Sequence, residues 1–317
     1  MSTEMAGDRV PTVYIPTLNG GETLRRCLES LEGQTLRPEV VVADNGDKEG
    51  CAAMLRDRFP GVTRVGFGRN LGFGPALNRA IREFGEGPIV LLNDDAVAEP
   101  RMIEKLVEDA ARAEMVAPVL LSESDPSRID SAGVTVDQTL MAFDYLRGTA
   151  LGSLSGAADP LGPTGGAALY ERDAFNAVGG FDERIFLYYE DVDLALRLRA
   201  SGARCVLSPE ARAVHGYSLT LGAGTGRKYA MTGWSRGYLL RRYGVMASLG
   251  PAAGAICREA AICAGQLLRD RTLAGARGRV EGWRAAKGLA RRRLPQEAVT
   301  ELSLREALSR RRAGHGA

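Results

Sequence analysis

The chain has 317 residues, 45% of them hydrophobic and 25% charged, enough length and apolar content for a sizeable core, which argues against a globally disordered chain. The formal charge of +2 is unevenly spread: from Arg227 to the end there are 19 Lys and Arg against 6 Asp and Glu, whereas residues 1–226 hold 22 against 33. One reading of that split is an acidic body with a basic tail that meets something anionic; the other is a solvated helical face.

In chain order, Val10–Pro16 reads as a short apolar strand that stops at the turn-rich Thr17-Leu18-Asn19-Gly20-Gly21. A helix follows, with Leu24, Cys27, Leu28 and Leu31 three and four apart. Val40–Ala43 is an unbroken β-branched run of the kind used by a sheet buried on both faces, and it ends at Asp44-Asn45-Gly46. A helix over 50–59, a strand near Val62–Phe67, the loop 68–74, a helix at Pro75–Phe84 and the strand Ile89–Leu92 complete a βαβαβαβ alternation. Such alternation predicts a parallel, twisted sheet with helices on both faces, and such sheets bind ligands beyond the carboxyl ends of their strands. Thr17, Asn19, Asp44, Asn45, Asn70, Asn93, Asp94 and Asp95 all fall just past those ends. Farther on, the spacing predicts a helix at Pro100–Arg112, strands at Met115–Leu121 and Gly165–Tyr170, and a helical turn at Arg172–Val178. A helix at Asp191–Ser201 and a short strand at Cys205–Leu207 ending before Pro209 follow. Residues 122–164 are turn-rich and carry no clear period, and from Lys228 the chain reads as helical and Ala/Arg-rich. Five scattered cysteines without a CxxC pair argue against a disulfide framework or structural zinc and fit a reducing cytoplasm. The N-terminus lacks the basic-then-apolar order of a secretory signal. The weakly polar stretch Val245 to Cys257 is short of the roughly 20 residues a membrane span needs.

Three segments carry chemistry. Asn93-Asp94-Asp95 ends an apolar strand, where carboxylates can hold a divalent cation against a diphosphate; an Asp-rich turn and helix cap is the plainer reading. In Leu187-Tyr188-Tyr189-Glu190-Asp191-Val192-Asp193, three carboxylates follow aromatics, and Glu190 or Asp191 can supply a base whose pKa is raised by apolar surroundings and like charge. Capping of a helix N-terminus is the alternative, and Asp193 belongs to it. His215 follows Ala213-Val214 and either completes a metal site with the Asp pair or is a hydrogen-bonded structural histidine; His315 lies in a Gly-rich terminus and reads as solvated.

Together these stretches resemble family 2 glycosyltransferases of the GT-A fold, and in pattern the bacterial rhamnosyltransferase-like members. VYIPTLNGGETLRRCLESLEGQT, VVVADNG, GRNLGFGPALNRAI, VLLNDDA, GPTGGAALYERDAFNAVGGFDERIFLYYEDVDLALRLRASG and SPEARAVH occur in the family's order and cover most of residues 10–217. The resemblance implies that Pro16, Thr17 and Asn19 line a nucleotide pocket, that Asp44 accepts from the ring N–H of uracil or thymine with Asn45 beside it, and that Asn70, Gly72 and Asn78 shape the floor near ribose and diphosphate. It implies Asp95 as the metal-binding carboxylate of the DxD position, His215 as a further ligand, Asp191 as the base of an inverting displacement, and Gly165-Gly166 as room for the acceptor. Asn93 stands at the first DxD position and is a weaker ligand, so either Asp94 or Asp95 can carry the metal, the other contacting sugar or ribose. Asp47 stands where many members have Ser.

The implied division is a nucleotide-sugar-binding catalytic domain over 1–226 and a basic helical C-terminal region over 227–317. The implied cofactor is Mg²⁺ or Mn²⁺, and the partners are a dTDP- or UDP-linked sugar and a glycan, lipid-linked or small-molecule acceptor. For the basic tail, three arrangements stand open: a helix lying on an anionic membrane at the inner face, helices packed back on the body, or a homodimer. Nucleic acid is not expected, because the tail lacks interleaved aromatics. A nicotinamide dehydrogenase is rejected because Gly72 falls one residue too late after Gly66-Phe67-Gly68 for GxGxxG. A catalytically inactive sugar-nucleotide-binding scaffold is the remaining alternative, since Asn93 weakens the metal motif.

Overall fold

The computed structural model describes residues 10–46, 49–216 and 226–300; Asp47 and His315 lie outside the described residues. The first half follows the expected alternation: β1 (Thr12–Thr17), α1 (Gly21–Glu32), β2 (Glu39–Asp44), α2 (Glu49–Arg58), β3 (Thr63–Gly66), α3 (Phe73–Glu83) and β4 (Ile89–Leu92). These four strands lie side by side in the order β3-β2-β1-β4, all parallel. Successive side chains of a strand point to opposite faces. Val13, Ile15, Val42 and Val90 accordingly pack with the α1 row Leu24, Cys27, Leu28 and Leu31, while Tyr14, Val41, Ala43 and Leu91 pack on the other face with Leu77, Ala80 and Ile81 of α3.

Past β4 the sheet becomes mixed. After β5 (Ala96–Ala98) and α4 (Met102–Ala110) come β6 (Met115–Ser122), β7 (Ile129–Ser131), β8 (Val134–Asp137), β9 (Ala142–Asp144) and β10 (Ala167–Tyr170). Then follow α5 (Arg172–Ala177), α6 (Glu190–Ala200) and β11 (Cys205–His215). β10 inserts antiparallel between β4 and β6, β11 runs parallel to β6, and β5 closes the edge antiparallel to β11. The unperiodic stretch 122–164 holds the short strands β7, β8 and β9, too brief to leave a pattern in sequence. β11 runs on to His215 instead of ending before Pro209. The register shifts between Ser208 and Arg212, and this irregularity passes the proline, which has no N–H for the ladder. That continuation carries His215 to the carboxyl end of the sheet beside Ala96.

The C-terminal helices α7 (Gly226–Arg242), α8 (Leu249–Asp270) and α9 (Ala274–Ala285) pack back onto this body, and β12 (Val299–Thr300) joins β8 and β9 in a second small sheet. α7 and α9 touch backbone to backbone: a Cβ on Gly237 would lie 2.0 Å from the Arg279 carbonyl, and one on Gly282 1.8 Å from that of Trp234. Several tail cations are neutralised inside the chain. Arg236, fully buried, bonds Glu259 of α8 and the carbonyls of Thr139 and Leu140, and Arg279 reaches the same carboxylate. Arg292 pairs with Asp182 (2.7 Å) and with Asp193, which also accepts from Tyr243 (3.0 Å). Asp193 is thus structural, tied to Arg197 as well.

Candidate active site

The carboxyl ends of β1, β4 and β11, the N-terminus of α6 and the helices α7 to α9 enclose one cavity of about 820 Å³. Pro16, Thr17, Asn45, Asn70, Gly72, Asn93, Asp94, Asp95, Gly165, Gly166, Glu190, Asp191 and His215 all border it. Three expected residues do not. Asn19 is exposed and outside the lining. Asp44 is fully buried and held by Arg64 at 2.8 Å, so its carboxylate is engaged by a guanidinium that residue spacing gave no sign of. Asn78 is a brace between α3 and the loop before α6: its amide donates to the Phe181 carbonyl (2.9 Å) and Glu183 (3.2 Å) and accepts from the Phe181 N–H (2.9 Å).

On the nucleotide side, Asn45 organises the loop after β3. Its amide donates to Asn70 Oδ1 (3.0 Å) and the Gly72 carbonyl (2.9 Å) and accepts from the Leu71 N–H (2.7 Å). Gly72 has φ +95°, and a Cβ there would stand 2.5 Å from the Phe186 carbonyl, so only glycine lets this loop lie against the segment that leads into α6. Thr17 donates to Asp94 Oδ2 (2.5 Å), fixing that carboxylate against β1. Burial outweighs that bond, and the neighbouring Asp95 charge adds to it, so Asp94 is pushed up to about 6.

At the end of β11, His215 Nδ1 is 2.8 Å from Asp130 Oδ2, and Asp130 is paired with Arg147 (3.2 Å). His215 Nε2 faces Asp95 Oδ1 at 3.2 Å, yet the two are not aligned as a hydrogen bond, and neither atom has another partner. Burial opposes charge on this imidazole, but its contacts with Asp130 and Asp95 outweigh burial and raise it to about 10. Among the described residues no three His, Cys, Asp or Glu side chains form a ready metal cage. A dication here would take Asp95 and His215 as its protein ligands and the rest of its shell from substrate and water, as Mg²⁺ does beside phosphates. The orphaned, facing oxygen and nitrogen, with Asp130 orienting the far side of the ring, fit that use.

The second chemical centre opens α6. Tyr188 and Tyr189 are both left-handed, φ 69°, a strained pair of the sort that gathers at functional sites. Asp191 Oδ2 accepts from the Gly165 N–H (2.9 Å) and Oδ1 from the Val192 N–H (2.7 Å). Glu190 Oε2 is buried with no partner. Burial raises both carboxylates; the Asp191 charge raises Glu190 further, whereas two N–H donors favour the Asp191 anion. Burial thus favours the neutral form of Glu190, whose Oε2 has no donor, while the two N–H groups favour the anion of Asp191. The Thr164-Gly165-Gly166 turn joins the two centres: a Cβ on Gly165 would lie 3.7 Å from Asp191 Oδ2, and one on Gly166 3.6 Å from His215 Nε2.

Asp130, Asp144, Arg147, Lys228, Tyr229, Gln266 and Arg279 also line the cavity and were not anticipated from sequence. The first three come from the unperiodic stretch and the rest from tail helices, so no local pattern marks them.

The parallel half-sheet, its antiparallel insertion and the strand-end carboxylates define an α/β enzyme of the GT-A class. Residues 12–179 match the family described as Glycosyl transferase family 2. The chain is 34% identical over 235 residues to N-acetylglucosaminyl-diphospho-decaprenol L-rhamnosyltransferase of Mycobacterium tuberculosis, covering 66% of this chain and 76% of that one. It is 29% identical over 226 residues to the succinoglycan biosynthesis protein ExoA of Rhizobium meliloti, covering 68% and 66%. Among solved structures it resembles GalNAc-T7 with UDP, GalNAc and Mn²⁺ (TM-score 0.57, 16% identity, 74% of this chain and 49% of that chain). It also resembles the mannosyltransferase PcManGT of Pyrobaculum calidifontis with GDP-Man and Mn²⁺ (TM-score 0.53, 18% identity, 88% and 76%). The chain belongs to glycosyl transferase family 2 and is a glycosyltransferase.

Proposed function

We propose that this enzyme moves rhamnose or another hexose, with inversion, from a dTDP- or UDP-linked donor to a hydroxyl of a lipid-linked glycan acceptor. The observation that carries the chemistry is the Gly165-Gly166 turn, which holds the Asp191 carboxylate by one residue and makes room beside His215 by the next. Asp191 takes the proton of the acceptor hydroxyl as that oxygen attacks the anomeric carbon; the new C–O bond forms as the bond to the diphosphate breaks, and the nucleoside diphosphate leaves with its electron pair. The Gly165 and Val192 N–H groups aim the carboxylate, and a neutral Glu190 keeps a second negative charge away from it. Asp95 and His215 would hold Mg²⁺ or Mn²⁺, which supplies charge stabilisation to the departing diphosphate. Asp94, fixed by Thr17, and Asn93 then face ribose or sugar, with Pro16, Asn45, Asn70 and Gly72 toward the nucleoside.

Support for the acceptor class comes from the mycobacterial relative, whose name specifies a diphospho-decaprenol substrate. Action at the inner face of the cytoplasmic membrane accords with it, as does a catalytic region over 1–226 with a helical region from 227 that completes the cavity wall. Among the described residues no helix is long and apolar enough to cross a membrane. A thermal-shift panel of nucleoside-diphosphate sugars with Mg²⁺ or Mn²⁺ tests the donor. A dTDP- or UDP-hexose at 100-fold over Kd is expected to stabilise the fold by about 2.7 kcal/mol, a shift of several degrees. A panel in which neither nucleotide class shifts the transition with either metal overturns the assignment.

A further inference from the structure

The 22-residue helix α8 is amphipathic in the inverted sense. Its only charged residues before Arg269 are Arg258 and Glu259, and both point inward, 3% and 8% exposed, where Arg258 faces Asp137 and Glu259 takes Arg236 and Arg279. Gln266, on the same inward stripe, is buried as well. The outward face is apolar from end to end: Leu249 is 93% exposed, Ile256 58%, Leu267 44% and Leu268 78%, with the exposed Ala253, Ala260 and Ala264 between them. At 1.5 Å per residue these positions form a strip about 29 Å long on one side of the helix. A strip of this kind on a water-soluble surface marks a place that something covers. Arg269 and Arg271 follow the C-terminal end of the strip, and Arg277 and Arg284 sit on α9, which returns beside α8 through Arg279 and Glu259. All four are exposed and without an ion pair among the described residues, whereas Arg236, Arg279 and Arg292 are neutralised internally.

We infer that the outward face of α8 lies in the headgroup and upper acyl region of an anionic lipid bilayer, with the four arginines on lipid phosphates. A bilayer is favoured over a second copy of the chain because the exposed, unpaired arginines around the strip complement an anionic surface. The helix is parallel to the surface and does not cross it, in keeping with its hydropathy. This deepens the lipid-linked acceptor reading and rests on it for its purpose. α8 gives Gln266 and α9 gives Arg279 to the cavity wall, so the bilayer would adjoin the cavity that holds Asp191.

The test is flotation of the full chain with vesicles of phosphatidylcholine alone or with 30% (about one lipid in three) phosphatidylglycerol. The wild type is expected to float with the anionic vesicles and to bind neutral ones at least tenfold more weakly. Ile256→Glu/Leu267→Glu, and separately Arg271→Glu/Arg277→Glu, should each lower anionic-vesicle binding by tenfold or more with an unchanged melting temperature. Binding equal to wild type in both variants overturns the inference, as does a wild type that binds no vesicle and sediments as a dimer that Ile256→Glu/Leu267→Glu splits. Transfer to a water-soluble acceptor analogue keeps the two readings apart. Activity without vesicle binding removes the surface and leaves the transferase; vesicle binding without activity on any acceptor removes the transferase reading and leaves the surface.

Discussion

Asp95 Oδ1 and His215 Nε2 are buried, face each other at 3.2 Å and have no aligned hydrogen-bond partner, so both atoms are turned toward a position that a cation would take. Asp130 on the opposite ring nitrogen sets which nitrogen points into the cavity. If the pair holds the cation, Asp95→Ala should lower kcat/KM by about 100-fold, or about 2.7 kcal/mol of transition-state stabilisation, and flatten the response to Mg²⁺ or Mn²⁺. Steady-state kinetics across a metal titration checks this, and a variant that keeps the wild-type metal dependence removes Asp95 as a ligand. The residues of this centre were unequally legible. Asp94 and Asp95 follow an apolar strand, and the sequence position alone marks them. Asp130 does not show, because it sits in a three-residue strand inside a stretch without period and meets His215 only through the pairing of β7 with β6. Asn78 misled for the opposite reason: a polar residue on the helix after a binding loop looks like part of the site, but its amide is spent on the Phe181 backbone.

Among the elements, the four parallel strands and their helices were readable because buried β-branched runs and three-four spacings repeat over 80 residues (roughly one βα unit per 25). β11 was cut short at Pro209, since proline ordinarily ends a central strand and a register shift is invisible in sequence. The tail helices were readable as helices but not as to where they pack, which depends on single buried contacts. Arg236 is the clearest: one guanidinium ties α7 to Glu259 of α8 and to the carbonyls of Thr139 and Leu140. Arg236→Ala leaves those carbonyls unpaired and Glu259 with Arg279 alone, and should cost about 3–5 kcal/mol in urea unfolding. The double variant Arg236→Met/Glu259→Met, which removes both buried charges, should recover most of that loss. Equal destabilisation by the single and double variants would show that the side-chain shape, and not the charge pair, locks these helices.

Across the whole molecule, the acidic body and basic tail that the charge count reveals are in part each other's partners, through Arg292 with Asp182 and Asp193 and Arg258 with Asp137. Of the cations left outside, Arg269 and Arg271 follow the end of the charge-free strip on α8. The tail also closes the cavity, with Lys228, Tyr229 and Thr232 of α7 among its lining residues. Burial and the nearby Arg147 lower Lys228 in that wall. All of this is arranged around one carboxylate held by two backbone N–H groups. The most direct measurement is therefore transfer by Asp191→Asn with the donor and metal found in the thermal-shift panel. Loss of turnover by about 10³-fold, in the range for a general base, with the donor-induced shift retained, is the predicted result. Near-wild-type turnover with donor bound would contradict the account.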